Sequence, residues 1–507
     1  MAHVVSRGPQ LWRNYHGTAT CSLEDQIELF NGAAITGRAV LKEAALAIQA
    51  LLQRAKTAGR IVRPVGSGWS PSELALSEGG WQVETTRLNR GFRIARGDLA
   101  EGAEVDHGAL LLCQAGMLVD EVSDRAEREM GRALRTAGAS NGQTIAGACA
   151  TGTHGSVLGM GGIQDQVRAV QIVTPAGIFW IEPDRPVLSD AFIEATGSAV
   201  IRSDEVFAAA QLAVGAMGFV TALLIETVPI YLVRAIQKKH VMTREELAML
   251  GRGDFHGFSR AVALDEMPYF VQAIFNPYAP FKGKSLLKLL YKQPYRDDYV
   301  RQPPAKLGAG YDALTLAGKV MDTIPFVKGR LLQKLMELSY AGGPDETMPP
   351  ALGTWGETTE THTPLADLFN GSVTIARDDL VRAFDVIIHA FTKGGGGTVV
   401  TCRFMDRAAG LLAPARFPHN AVIDFDGPRS KSSHRSYQRV TAALDEAGIP
   451  FTRHWAKTND LTAARVRRDY GADLDRWRAA QHRLMPDPAD RAVFRNDELV
   501  RLGLIEA

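Results

Sequence analysis

At 507 residues the chain is too long for one small core and calls for two or more substructures folding together. Its 57 Lys+Arg nearly balance 56 Asp+Glu, with no long block of either sign, which argues against nucleic acid as the main partner. A hydrophobic fraction of 46% is that of a soluble globular protein.

In chain order, the opening MAHVVSRGPQLWRNYHG has no apolar core of the signal-peptide kind, so no secretory leader is expected there. LKEAALAIQALLQRAKTAGR (41–60) has apolar residues at helical spacing and ends in Gly59, a C-cap residue. IVRPVG then predicts a short strand running into the turn GSGWSPS. Further on, AVQIVTPAGIFWIEP (169–183) predicts a hairpin around Pro175 and Gly177. LIETVPIYLV (224–233) predicts the strand that closes this α/β region. The longest apolar run, Leu212 to Ile225, has 14 residues, short of the roughly 20 needed to span a bilayer.

From about 235 to 345 the character changes: prolines cluster, and apolar residues mix with lysines, as in IPFVKGRLLQKLMEL. The Lys-bearing stretch 320–340 has two readings, a helix lying on a membrane surface or an ordinary helix with snorkelling lysines. After 370 the α/β pattern returns, with DDLVRAFDVIIHAFTKGGGG as a helix stopped by glycines and TVVTCRFM as a strand. Four cysteines, Cys21, Cys113, Cys149 and Cys402, lie far apart without CxxC spacing, which fits reduced, buried thiols in a cytoplasmic protein.

Two glycine-rich stretches carry the chemistry. RPVGSGWSPSE (63–73) has the look of an anion-binding turn, but it lacks the Lys-Ser/Thr ending of a P-loop, the GxGxxG of a dinucleotide fingerprint and the first glycine of a nucleophile elbow. GASNGQTIAGACATGTHGS (138–156) mixes glycines and small hydroxyl residues along a path that allows close backbone approach to a large ligand. His154 has no His, Cys or carboxylate at metal-ligand spacing, so no metal site is expected. VGAMGFVTALLIETVP (214–229) adds a small-residue turn and a β run.

In this order, together with LWRNYHGTATCS near the start, RHWAK (453–457) and VFRNDELVRLG (493–503), these pieces resemble the vanillyl-alcohol oxidase family of FAD enzymes, and within it the sugar-lactone and alditol oxidase branch. The resemblance implies an α+β fold of two domains: an FAD-binding domain of the PCMH type over 1–232 and an α/β substrate-binding cap domain over 233–450. A C-terminal segment, 451–507, would return to the flavin. It assigns FAD contacts to Gly66, Ser67, Gly68, Trp69 and Ser70 in the first loop. In the second stretch it assigns them to Gly138, Ala139, Gly142, Thr144, Gly147, Thr151, Gly152, Thr153, His154 and Gly155, with Val220 and Lys457 beyond it.

The departures from the family are informative. Where most oxidases of the branch carry a histidine bonded to the flavin, this chain has Trp69, so FAD held without a covalent link is expected, with the indole beside the flavin ring. The substrate strand, Glu-x-Arg-Phe in the relatives, reads TCRF here: Arg403 is kept and Thr401 replaces the acid. By resemblance, Arg403 and Thr401 face the reacting carbinol, Lys457 stabilises the reduced flavin, and His454 is a candidate base. The reaction implied is hydride transfer from a CH–OH carbon of a small alcohol, polyol or lactone to flavin N5. Gly138, at the family's oxygen-gating position, points to O2 over another electron acceptor. A catalytically silent FAD-fold protein and a membrane-surface oxidase of a sterol-like alcohol stand as alternatives.

Overall fold

The computed structural model describes residues 3–32, 37–138, 140–301, 332–334, 351–359 and 368–506. The membrane-surface reading of 320–340 falls almost wholly outside these residues, as does Ala139. Among the described residues no helix is long and apolar enough to cross a membrane.

The first long helix, α1 (Arg38–Ala58), forms where the apolar spacing predicts it. Leu41, Ala44, Ala45, Ile48, Leu51, Leu52 and Ala55 make its buried face, and it stops at Gly59, whose φ of 62° suits a residue without Cβ. The chain turns directly into β1 (Val62–Val65), which pairs in parallel with Trp81–Glu84 in a four-stranded sheet. The second glycine-rich stretch becomes a short helix, α2 (Ile145–Thr151), whose start is capped by the Thr144 hydroxyl and whose end is Gly152 in the left-handed region.

A six-stranded sheet completes the first domain. Its centre is the predicted hairpin, β2 (Val167–Val173) with β3 (Ile178–Glu182), and β2 also pairs with β4 (Phe219–Glu226). Here one expectation needs correction. No single strand runs over 224–233: β4 leaves the sheet after Glu226, and Tyr231 opens a strand of a different sheet, β5 (Tyr231–His240). Pro229 lies between them in a two-residue bridge to Arg132–Ala133, and its missing N–H makes it a poor member of a continuous ladder.

The second sheet has eight strands. After β5 come β6 (Phe270–Phe275), β7 (Ser285–Pro294) and β8 (Leu368–Ala376), then helix α3 (Leu380–Gly394), β9 (Val399–Asp406), β10 (His419–Pro428) and helix α4 (Lys431–Glu446). Their order across the sheet, from the edge strand Ala351–Thr354, is β5, β7, β6, β9, β10, β8, and Phe451–Thr452 closes the far side. Alternation divides its faces. Val400, Cys402 and Phe404 of β9 and Ala421, Ile423 and Phe425 of β10 pack in one hydrophobic core with Phe384, Ile387 and Val440 of α3 and α4. The odd-numbered residues of β9 and the even-numbered ones of β10, Thr401, Arg403, Asp424 and Asp426, therefore face the first domain.

The C-terminal segment returns to that domain and shares its core. Trp455, Trp477, Phe494 and Leu499 cluster with Val62, Leu212 and Phe219. The Val62 N–H donates to the Val493 carbonyl at 2.6 Å, which fixes β1 against the tail.

Candidate active site

One cavity of about 350 Å³ lies between the first domain and the polar face of the second sheet, and it gathers most of the residues singled out by motif. The loop after β1 supplies Gly66, Ser67, Gly68, Trp69 and Ser70 to its wall. The second stretch supplies Gly138, Thr144, Gly147, Thr151, Thr153 and His154, and β4 supplies Val220. From the opposite side come Arg403, His454 and Lys457. Gly142, Gly152, Gly155 and Thr401 do not line it: Gly142 packs behind Trp69, the Gly155 carbonyl lies 3.0 Å from His154 Nδ1, Thr401 Oγ1 reaches Asp426, and Gly152 stands beside Leu212 and Pro414, away from the wall.

The local causes can be traced. Gly66 has no room for a side chain because the Thr144 hydroxyl occupies that space, so the two glycine-rich stretches lock together there. Gly68 adopts a φ of 65°, and its carbonyl accepts the Tyr15 N–H at 2.8 Å, which folds the loop back on the N-terminal segment. Ser70 Oγ donates to the Ala456 carbonyl at 2.9 Å, joining this loop to the RHWAK segment.

Trp69 is neither free beside the cavity nor sunk in the core. Its indole stacks on Tyr15 with ring centroids 4.4 Å apart and planes 11° from parallel, and His16 meets it edge-on at 5.6 Å. Gly142 exists as a glycine for the same reason: a Cβ there would stand 2.7 Å from the indole. The ring is thus a wall of the cavity held by three neighbours.

The floor is the polar face of the sheet, and an acid missed in the sequence organises it. Asp424, fully buried on β10 directly across from Thr401, pairs with both candidate cations: Arg403 Nη1 at 3.1 Å, and Lys457 Nζ in a short contact. Burial by itself would raise the Asp424 carboxyl; Lys457 and Arg403 outweigh it and hold it well below the usual carboxylate range. Two residues on, Asp426 has the same orientation but a different setting. It lines the cavity and accepts hydrogen bonds from Asn370 of β8 and, at 3.4 Å, from Thr401 Oγ1. Burial and then the Asp424 charge push its pKa up. The signal for both acids lay in AVIDFDGP: within a β run, polar residues at alternate positions share one face.

His454 does not fit the part of a base. Its Nδ1 accepts the Ala456 N–H at 3.1 Å, and its ring lies near the Gly152 carbonyl. Burial, with Lys457 second, drives its pKa well below the ordinary histidine value. Its work is to shape the turn that presents Lys457. His154, with its ring 5.5 Å away, is pushed down to about 4 by burial and then by Lys457, and stays neutral beside the ion pairs.

Gly138 also differs from expectation. Its φ is outside the left-handed region, and the space its missing side chain would fill is already closed by the Thr153 methyl, 2.7 Å from an ideal Cβ. An opening at this point is set by two residues, Gly138 and Thr153.

The residues fit FAD on the structure's own terms. The wall is built of glycines and backbone, as a dinucleotide requires, and Gln143 brings to it a buried Oε1 that has no partner among the described residues. The floor likewise holds an unpartnered buried donor, Arg403 Nε. No group of three metal-ligating side chains occurs among the described residues.

The comparisons point to the same cofactor. The family described as FAD binding domain matches residues 39–181. A D-arabinono-1,4-lactone oxidase of Yarrowia lipolytica is 27% identical over 201 residues, which cover 39% of this chain and only 33% of that relative. An L-gulono-1,4-lactone dehydrogenase of Mycobacterium tuberculosis is 25% identical over 498 residues, 96% of this chain and 97% of the relative. Among solved structures, a variant of cholesterol oxidase from Brevibacterium sterolicum superposes with a TM-score of 0.72 at 14% identity, covering 99% of this chain and 97% of that one. A xylooligosaccharide oxidase from Myceliophthora thermophila gives 0.62 at 14% identity, over 98% and 94% of the two chains; at such identity these two speak for the fold alone. Residues 39–181 match an FAD-binding domain, and the chain is similar to sugar-lactone oxidases and dehydrogenases.

Proposed function

We propose that the protein is an FAD-dependent oxidoreductase that oxidises the CH–OH group of a small, hydroxyl-rich alcohol, polyol or sugar lactone. The observation that carries this is the floor of the cavity: Arg403 and Lys457, both fixed by Asp424, lie opposite a glycine-built wall. A silent binding protein has no need of two cations ion-paired at the end of a cofactor cavity. Polar groups from four sources on one surface, Asn370, Arg403, Asp426 and Lys457, favour a hydroxyl-rich substrate over a sterol.

Gly66–Ser70, Thr144, Gly147, Thr151 and Val220 would hold the cofactor without a covalent bond. FAD, when bound, supplies the two-electron acceptor for the hydride that leaves the carbinol carbon. The chain's own groups supply orientation and charge. Arg403, whose buried Nε has no partner among the described residues, stabilises the substrate oxygen as it loses its proton. Lys457 stabilises negative charge on the reduced cofactor. The sealed Asp424 keeps both cations fixed before substrate arrives. The four buried, unpaired cysteines support a reducing, cytoplasmic setting.

The test is anaerobic bleaching of the visible flavin spectrum by L-gulono-1,4-lactone, D-arabinono-1,4-lactone, xylitol and cholesterol. Bleaching by a lactone or polyol is expected. No bleaching by any of them would favour the silent binding protein, and bleaching by cholesterol alone would overturn the hydroxyl-rich substrate.

For the second half-reaction we propose O2, in line with the relative named as an oxidase. Reoxidation of the reduced enzyme by dissolved oxygen should be fast. Slow reoxidation of the parent would point to another acceptor.

A further inference from the structure

Two carboxylates stand on one face of β10, and their surroundings separate them. Asp424 is sealed: no part of it reaches the cavity, and its oxygens face Arg403 and Lys457. Asp426 is open to the cavity, and among the described residues its hydrogen-bond partners are neutral, the Asn370 amide and the Thr401 hydroxyl. Paired acids whose environments push them apart divide their roles, one as fixed charge and one as proton carrier.

We propose that Asp426 is the catalytic base, taking the proton of the substrate hydroxyl while Asp424 serves as the permanent anion that positions Arg403 and Lys457. This deepens the proposed function and rests on it. In the step, the substrate O–H bond breaks and its proton passes to a carboxylate oxygen of Asp426. The electron pair left on that oxygen becomes the second bond of the product C=O. The C–H bond breaks at the same carbon, and its pair leaves with the hydride to the flavin, the two-electron oxidant. The products are a carbonyl compound, reduced cofactor and protonated Asp426, which returns its proton to solvent.

The geometry supports this beyond the contrast of the two acids. Thr401 Oγ1 lies 3.4 Å from Asp426 Oδ2, so the hydroxyl marks the space beside the base. Arg403, from the same strand as Thr401, brings its cation to the same face, where it favours the oxyanion as the proton leaves. The ionisable groups around Asp426 are Asp424 on its own strand, Arg403 on β9 and Lys457 on the C-terminal segment, with His154 and His454 neutral nearby. Burial, then Asp424, raises the carboxyl, which makes it a stronger base than a surface aspartate.

The test uses the flavin-loaded enzyme. Anaerobic stopped-flow reduction by L-gulono-1,4-lactone, or by whichever of the panel bleaches the parent, should rise with pH through the Asp426 ionisation and then level off. Asp426→Asn should slow reduction by roughly 10²–10⁴-fold and remove the acid limb, with flavin content unchanged. The double variant Thr401→Glu/Asp426→Asn returns a carboxylate to the same space from the neighbouring strand and should recover at least tenfold over the single variant. A readout without turnover accompanies these: carboxyl NMR of 13C-labelled aspartate in the ligand-free holoenzyme. A signal that is lost in Asp426→Asn should titrate above the ordinary aspartate range. Equal reduction rates in parent and Asp426→Asn, a double variant no faster than the single, or an Asp426 signal titrating at or below the ordinary range would each overturn the assignment. A parent enzyme that no alcohol or lactone reduces would overturn the proposed function instead.

Discussion

Trp69 shows how far one side chain can be read. Its identity excludes a bond to the flavin methyl group, since an indole has no nucleophilic nitrogen of the imidazole kind, but its partners Tyr15, His16 and Gly142 were invisible until the fold placed them. We predict that acid precipitation releases all the yellow colour to the supernatant; flavin fluorescence on the denatured band in a gel would contradict this. At the other end of the cavity the residue question is charge. Lys457→Met removes a cation and should lower the flavin midpoint potential, whereas Asp424→Asn removes the anion between two cations and should raise it. Each charge is worth about 1–2 kcal/mol at such range in a partly shielded site, which equals roughly 20–45 mV for a two-electron couple. Opposite signs in the two variants are the expected result, and equal signs would mean that these groups do not act through charge at the flavin. Stripping a buried ion pair of one member costs about 3–5 kcal/mol, so circular dichroism and flavin content must be checked first in Asp424→Asn.

Elements were legible where local chemistry decides them. Helix α1 ended at its glycine, the β2–β3 hairpin turned where proline and glycine stand together, and β9 followed its glycine stop. The 224–233 strand failed because an apolar β run says nothing about which sheet each half joins. The acids of β10 were missed because their partners come from β9, β8 and the C-terminal segment, and pairing register is not a local property. The tail motif F-x-N-x-x-L was visible as a pattern, and the structure explains it. Asn496 Oδ1 caps the final helix by accepting the Leu499 N–H at 2.9 Å, while its Nδ2 donates to the carbonyls of Glu73, Leu74 and Leu76 at 3.2, 3.2 and 3.0 Å. Arg63 reinforces the clamp through the Leu74 and Phe494 carbonyls. The clamped residues continue the loop that carries Gly66 to Ser70. Asn496→Ala should therefore cost about 2–3 kcal/mol, the sum of a lost cap and unsatisfied carbonyls, and should also lower flavin occupancy. Melting temperature and the ratio of flavin to protein absorbance report the two effects, and a fall in melting temperature with full occupancy would show that the clamp stops short of the flavin loop.

At the scale of the whole molecule, two cores meet along the cavity, and the seam between them is polar. The Phe404 N–H donates to Ser156 Oγ at 2.7 Å, Gln164 Nε2 donates to the Ala409 carbonyl at 3.0 Å, and Asp165 accepts the N–H groups of Ala409 at 2.8 Å and Gly161 at 3.0 Å. Asp165 thus ties the loop after β9 to the first domain with a carboxylate that burial pushes up to about 6, against the pull of those N–H donors. An acid whose pKa is raised on folding favours the folded state while both states are protonated. That contribution is present below the unfolded value of about 3.9 and is lost as pH climbs through about 6. With allowance for its partial exposure, the loss comes to about 2 kcal/mol across this window. The buried histidines slope the other way over the same range, since His154 at about 4 must stay neutral to fold, so the parent's overall pH curve mixes both signs. Asp165→Asn isolates one of them. The variant keeps the histidine slopes and loses only the aspartate's, so the stability gap between parent and variant should be widest near pH 4 and narrow by about 2 kcal/mol by pH 6. Urea midpoints measured on both proteins every half pH unit would show it. A gap that stays constant, or widens as pH rises, would mean that Asp165 remains ionised throughout and that the seam is held by an ordinary carboxylate.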